Sequence, residues 1–125
     1  IYHDGMYNGK QIISAETVKE MQADQVKGAI IPSNNSDNYV AKGLGQSHNG
    51  IYGLGEWREL IDKKTGEAYQ ISSPGWAGAY PWINKRDNVY GFFIAHVVGS
   101  SAKEDGFSSF YGSPVISRTV SEIVK

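Results

Sequence analysis

The sequence predicts an α+β domain: an antiparallel sheet of about four strands flanked by helices. Three observations carry this. Between residues 51 and 98, apolar runs suited to strands are separated by polar turns rich in glycine and asparagine. Ser14 precedes a short helical run on one side of them, and Ser113-Pro114 precedes an amphipathic run on the other. The chain has 125 residues, 40% of them hydrophobic, which suits one domain with its own core.

Asp4-Gly5 and Asn8-Gly9 are turn signals, so residues 1–10 read as a loop. Ser14 is placed to cap a helix over Ala15–Met21. Glu16 sits favourably in its first turn, and Val18 and Met21 share its buried face. Val26 to Ile31 fits a short strand, Pro32 to Asn38 a loop, and Gly43 to Gly50 a polar glycine-rich connection. Order resumes at Ile51–Ile61 as a strand in which Gly53 and Gly55 mark a bulge or a close backbone approach. Asp62-Lys63-Lys64-Thr65-Gly66 is a hairpin turn, and Glu67–Ile71 is the returning strand.

The most aromatic stretch follows. Ser72 to Asn84 opens on Pro74-Gly75, contains Gly78, and carries Trp76, Tyr80, Trp82 and Ile83. With Val89–Val98 it predicts two neighbouring antiparallel strands joined by the polar turn 85–88. Gly75 and Gly78 are either the low wall of a site or only a bend in a strand. After the polar loop 99–106, Ser113 is expected at an N-cap and Pro114 at the first helical position. Val115, Ile116, Thr119, Val120, Ile123 and Val124 then form a stripe expected to lie on the sheet.

Several function classes are excluded by composition. A net charge of −1 and a pI near 6.3 give neither a nucleic-acid footprint nor a polybasic membrane patch. With no cysteine there is no disulfide framework, thiolate metal site or thiol nucleophile. No apolar run reaches the ~18 residues that a membrane span needs. His96, in an apolar strand, reads as a hydrogen-bonded core residue, and His3 and His48 as solvated loop residues without metal-ligand spacing. Glu56 and Glu59 read as part of a strand surface, and Trp76, Tyr80 and Trp82 as packing.

Three short motifs match the signatures of penicillin-recognising serine enzymes: Ser36-Asp37-Asn38, Lys64-Thr65-Gly66, and Ser100 with Lys103 in S-x-x-K spacing. Their context opposes the match. The first lies in an asparagine-rich loop and the second in a hairpin turn that wants glycine. The third follows a strand instead of opening a buried helix.

Longer stretches agree better with a family. Residues 7–14, followed by a helix ending at Met21, are similar to the segment after the helical domain of serine β-lactamase-like hydrolases. Tyr52-Gly53-Leu54-Gly55-Glu56-Trp57 is similar to that family's Y-G-L-G-W strand. Ser73-Pro74-Gly75, then Gly78, Tyr80 and Trp82-Ile83-Asn84, is similar to its H-x-G or K-T-G strand running on to W-I-D. The chain thus resembles the group that holds class C β-lactamases, DD-peptidases (penicillin-binding protein-like enzymes) and related esterases.

The resemblance implies that Ser73-Pro74-Gly75 walls an active site, with Gly75 keeping the wall low. The backbone N–H of Trp76 would be one oxyanion-hole donor. Ser73 stands where the family has Lys or His. An alternative register uses Trp76-Ala77-Gly78, as in esterases with W-x-G, but the Ser73 register reaches Trp82 without a gap.

The family's nucleophilic Ser, its Lys and its catalytic Tyr lie upstream and have no match here, since Tyr7-Asn8-Gly9 is not Y-x-N. The expectation is therefore a single partial domain over 1–125, the incomplete α/β half of a β-lactamase/transpeptidase-like fold, belonging to the C-terminal part of a bacterial hydrolase. It would hold no catalytic residue of its own, no cofactor and no metal. Its partners would be the missing N-terminal part of the parent chain and, for the parent, a small ester, amide or peptide substrate. Family members are commonly exported, which suggests an exported or periplasmic location. Unpaired sheet edges would leave apolar surface and favour a homodimer of the isolated chain. The alternative is a free-standing, non-catalytic binding or interaction module with the same sheet.

Overall fold

In the computed structural model the described residues are 1–27, 52–75, 78–96 and 109–125, the side chains of residues 109–111 excepted. A short hairpin comes first: β1 (Met6–Tyr7) pairs with β2 (Lys10–Gln11). Asn8 and Gly9 between them take φ of 47° and 73°, as a two-residue hairpin turn requires. The expected loop is thus a hairpin, with strands too short to leave an alternation in sequence.

Helix α1 (Ala15–Met21) begins where expected. Ser14 caps it, its side chain accepting from the Thr17 amide at 3.0 Å, and Val18 is buried. The chain is then tied to residues 52–54. The Leu54 amide donates to the Met21 carbonyl at 2.8 Å and the Gln25 amide to Tyr52 at 3.0 Å. Gly53 makes the predicted close approach, because a Cβ there would stand 2.3 Å from the Met21 oxygen. Val26 and Lys27 stand in a turn, their amides bonded to Asp24 Oδ1; the rest of the strand expected there lies outside the described residues.

Four strands make the main sheet, in the order β3 (Trp57–Ile61), β4 (Ala68–Ser72), β5 (Ala79–Asn84), β6 (Val89–Ile94), all neighbours antiparallel. The predicted turn joins β3 to β4. Asp62 Oδ1 accepts from the Lys64 and Thr65 amides, and Gly66 has φ 74°, so Lys64-Thr65-Gly66 is turn chemistry. The predicted bulge falls at Glu59, not at the glycines: the β3–β4 register shifts on either side of Leu60, and Glu59 stands between the pairs Arg58–Ile71 and Leu60–Gln70.

Registers sort the side chains into two faces. Gln70 opposite Asn84, and Ser72 opposite Trp82, lie on one face; Ile71, Ile83 and Tyr90 line up on the other. Helix α2 (Ser109–Ile123) covers the first face. Two expectations about it fail. It begins before Ser113, so Pro114 is inside the helix and Ser113 is not its cap. Its apolar stripe also faces the sheet only at its border: Ile116 and Val120 are half-buried and Val115, Thr119, Ile123 and Val124 exposed, while Ser113, Pro114, Ser117 and Ser121 are buried. The cause lies in the sheet, whose covered face presents Glu59, Gln70, Tyr80 and Asn84. Buried polar groups need hydrogen-bond partners, and Ser117 and Ser121 supply them. Among the described residues no helix is long and apolar enough to cross a membrane.

Candidate functional site

The chain leaves β4 at Ser72 and runs through Ser73, Pro74 and Gly75 alongside the start of β5. The Ser73 amide donates to the Pro81 carbonyl at 3.2 Å and the Gly75 amide to Ala79 at 2.7 Å. The Gly78 amide turns back to the Gly75 carbonyl at 3.0 Å, and the Ala95 amide donates to Gly78 at 3.0 Å. Gly75 and Gly78 thus close a narrow turn at the end of the sheet, each bonded to the backbone of a neighbouring segment. Trp76 and Ala77, and with them the expected oxyanion donor, lie outside the described residues.

The two glycines differ. Gly78 has φ 108°, and a Cβ on it would stand 1.8 Å from the Ala95 carbonyl oxygen; only glycine fits. At Gly75 a Cβ would make ordinary contact with the Ala79 Cβ at 3.6 Å, with φ outside the left-handed region. The fold itself does not require glycine at position 75.

Behind the turn lies a buried polar cluster that the sequence reading missed. Glu59 is fully buried. It accepts from Ser72 Oγ at 2.5 Å, from Gln70 Nε2 at 2.7 Å and from the Tyr80 hydroxyl at 2.8 Å. Tyr80 also lies 3.1 Å from Ser117 Oγ, and Gln70 Nε2 donates to the same oxygen at 3.0 Å. Asn84 Nδ2 extends the network to Gln70 at 3.0 Å and Asp87 at 3.0 Å. Bonds to a carboxylate are the stronger kind, so they fix β3, β4, β5 and α2 in one register and set where the 73–78 turn stands. A signal was present in the sequence: Ser113, Ser117 and Ser121 recur every four residues and share one helix face.

Glu56 also departs from the expected strand surface. The turn through Gly53 and Gly55 carries it under the sheet, where it is 7% exposed. Burial pushes its carboxyl up to about 7, against the opposing pull of Lys85 and Arg58. Its Oε1 has no hydrogen-bond partner among the described residues. Glu56 lines a groove of about 730 Å³ on the face opposite α2, with Ile71, Ile83, Tyr90, Phe92 and Ser73 also on its walls. A second cavity, of about 530 Å³, lies between α1 and the β3–β4 turn and is lined by charges of both signs, including Lys85, Arg58, Asp4 and Asp24.

Tyr80 and Trp82 pack as expected, buried and stacked with centroids 5.3 Å apart; Trp76 lies outside the described residues. His96 is exposed beyond the end of β6, not a core residue, because the strand ends at Ile94 and the apolar run outlasts it. His3 is exposed and meets the Tyr2 ring edge-on. His48, Ser36-Asp37-Asn38 and the S-x-x-K match at Ser100 lie outside the described residues. Among the described residues no His, Asp or Glu cluster is arranged to hold a metal.

The fold is α+β, built on a four-stranded antiparallel sheet. No family model matches the chain, and no curated protein matches it. Among solved structures it is similar to one described as a "putative beta-lactamase" from Bacteroides dorei DSM 17855. The two share 67% sequence identity over 98% of this chain, with a TM-score of 0.86. The chain spans 36% of the length of that protein. Its sheet and helices therefore match part of a β-lactamase-like structure.

Proposed function

We propose that this chain is the C-terminal part of a serine hydrolase of the β-lactamase-like family, and that residues 73–76 form one wall of its acyl-transfer site. The observation that carries the reading is the 67% identity, across nearly the whole chain, to a protein described as a "putative beta-lactamase". The glycine at position 75 supports it: packing does not demand one there, whereas a substrate passing close to the backbone would.

In this reading the Ser nucleophile, its Lys and the catalytic Tyr come from chain outside residues 1–125. The attacked carbonyl lies against the wall, and its developing oxyanion accepts from the Trp76 amide. A donor of this kind contributes roughly 3 kcal/mol to an acyl-transfer transition state. Ser73 presents a hydroxyl where related enzymes present a cation or an imidazole, so recognition of an anionic substrate group is weakened. An uncharged ester or amide suits the site better than a carboxylate-bearing β-lactam. The Glu59 cluster contributes rigidity and takes no part in bond making.

The test is turnover of p-nitrophenyl esters and nitrocefin by the isolated chain and by a longer protein containing it. The longer protein is expected to hydrolyse the ester in preference to nitrocefin, and Gly75→Val to lower its kcat/KM by about a hundredfold. Full activity in Gly75→Val would refute the wall.

A further inference from the structure

At its β6 edge the sheet face turned away from α2 is apolar and open. Tyr90, Phe92 and Ile94, alternate residues of the edge strand β6, are 72%, 62% and 70% exposed. The groove beside them runs past Ile71 and Ile83 to Glu56. Stable monomers seldom leave such a patch uncovered.

Glu56 makes the surface specific. It is more than nine-tenths buried, lines the groove, and has a carboxylate oxygen without a partner among the described residues. A buried carboxyl oxygen without a hydrogen-bond partner is costly, and more so when the group ionises. The two cations closest to it in effect are engaged elsewhere. Lys85 Nζ donates to Asp4 at 2.8 Å and to Gln22 at 3.0 Å. Arg58 donates to the Gln22 carbonyl at 2.9 Å and to the Gly66 carbonyl at 2.5 Å. Among the described residues no donor bonds Glu56 Oε1, which leaves the place for one on whatever covers the groove. The Bacteroides dorei protein extends well beyond the 36% that this chain matches, so a longer relative has polypeptide available for the purpose.

We propose that the groove seats a further segment of the longer polypeptide, apolar on the face it presents and carrying one lysine or arginine that meets Glu56. The proposal rests on the reading that the chain is part of a longer protein, and adds where and by what chemistry the rest docks. Ser73 lies on the same groove, so the docked segment runs beside the proposed wall.

Two experiments test it. In the first, this chain replaces its counterpart in the Bacteroides dorei protein, and hydroxyl-radical labelling of Tyr90 and Phe92 is compared between the chimera and the isolated chain. Labelling is expected to fall several-fold in the chimera. Glu56→Gln is expected to lower the chimera's Tm while leaving that of the isolated chain unchanged or raised. Equal labelling, or the same effect of Glu56→Gln in both proteins, overturns the proposal. The second experiment does not depend on the chimera folding. The isolated chain is titrated with two amphipathic leucine-alanine helical peptides that differ in one residue, a lysine or a glutamate at the apolar border. The lysine peptide is expected to bind about tenfold more tightly, a preference lost in Glu56→Gln. Equal affinities overturn the proposal, as does self-association through Tyr90 that persists in the chimera, which would make a second copy the occupant. A chimera that shields Tyr90 but hydrolyses nothing refutes the acyl-transfer reading and leaves this one standing.

Discussion

Gly75 and Gly78 belong to one turn, yet the fold constrains them in opposite ways. Gly78→Ala forces a side chain into the Ala95 carbonyl at φ 108° and is expected to cost several kcal/mol, on the order of 3. Gly75→Ala meets only ordinary contact with Ala79 and is expected to stay within about 1 kcal/mol of the parent. Urea unfolding of the two variants checks this. Equal destabilisation would show that both glycines serve the bend alone. The sequence marks both positions alike; backbone dihedrals and the approach of residue 95 tell them apart.

Glu56 carries a pH signature at the same scale. Burial raises its carboxyl from 4.5 to about 7. The folded chain therefore holds a proton that the unfolded chain releases, and this group's contribution to stability is greatest below pH ~4.5. It falls as pH rises and is lost above about 7, by at most about 3 kcal/mol. Glu56→Gln is expected to remove that decline between pH 5 and 8, as read from denaturant midpoints. An unchanged slope would mean that Glu56 titrates as an exposed carboxylate does.

Among the elements, α2 teaches the most. Its strongest sequence pattern is the apolar stripe through Val115, Ile116, Val120 and Ile123, and the stripe misses the centre of the buried face: Ile116 and Val120 border it, half-buried, and Val115 and Ile123 are exposed. The helix instead lays Ser113, Ser117 and Ser121 on a polar sheet face. Periodicity identified a helix; its orientation depended on which sheet residues it had to satisfy, and those are distant in sequence. In the isolated chain Ser117→Leu is expected to cost about 3 kcal/mol by overpacking and by stripping Gln70 and Tyr80 of a partner. Ile123→Ser, at a site 77% exposed, is expected to change stability by less than about 0.5 kcal/mol. The reverse ranking in thermal unfolding would return the apolar stripe to the sheet. By contrast, α1, the Asp62–Gly66 turn and the β5–β6 pair were legible, because a capping serine, turn residues at fixed offsets and bounded apolar runs are local signals. Glu59 was not, since a bulge and three strands must assemble before its partners surround it.

At the scale of the molecule, the open face of β6 leaves Tyr90, Phe92 and Ile94 uncovered, whereas the exposed Val115 and Ile123 of α2 stand among exposed Arg118, Thr119 and Glu122. The β6 face would suit burial against further polypeptide, and it makes the isolated chain prone to self-association, the expected homodimer among the outcomes. Sedimentation velocity at rising concentration is expected to show association that weakens when Phe92 and Ile94 are replaced by serine. A concentration-independent monomer would remove the argument for a missing cover.

The central claim is that this chain supplies the wall of an acyl-transfer site while another part of the parent supplies its nucleophile. Intact-mass spectrometry after brief exposure to a p-nitrophenyl ester tests it most directly. The isolated chain is expected to carry no acyl adduct, and a longer protein containing it to carry one, on a serine outside residues 1–125. An adduct on this chain, at Ser100 or any other residue, would contradict the account.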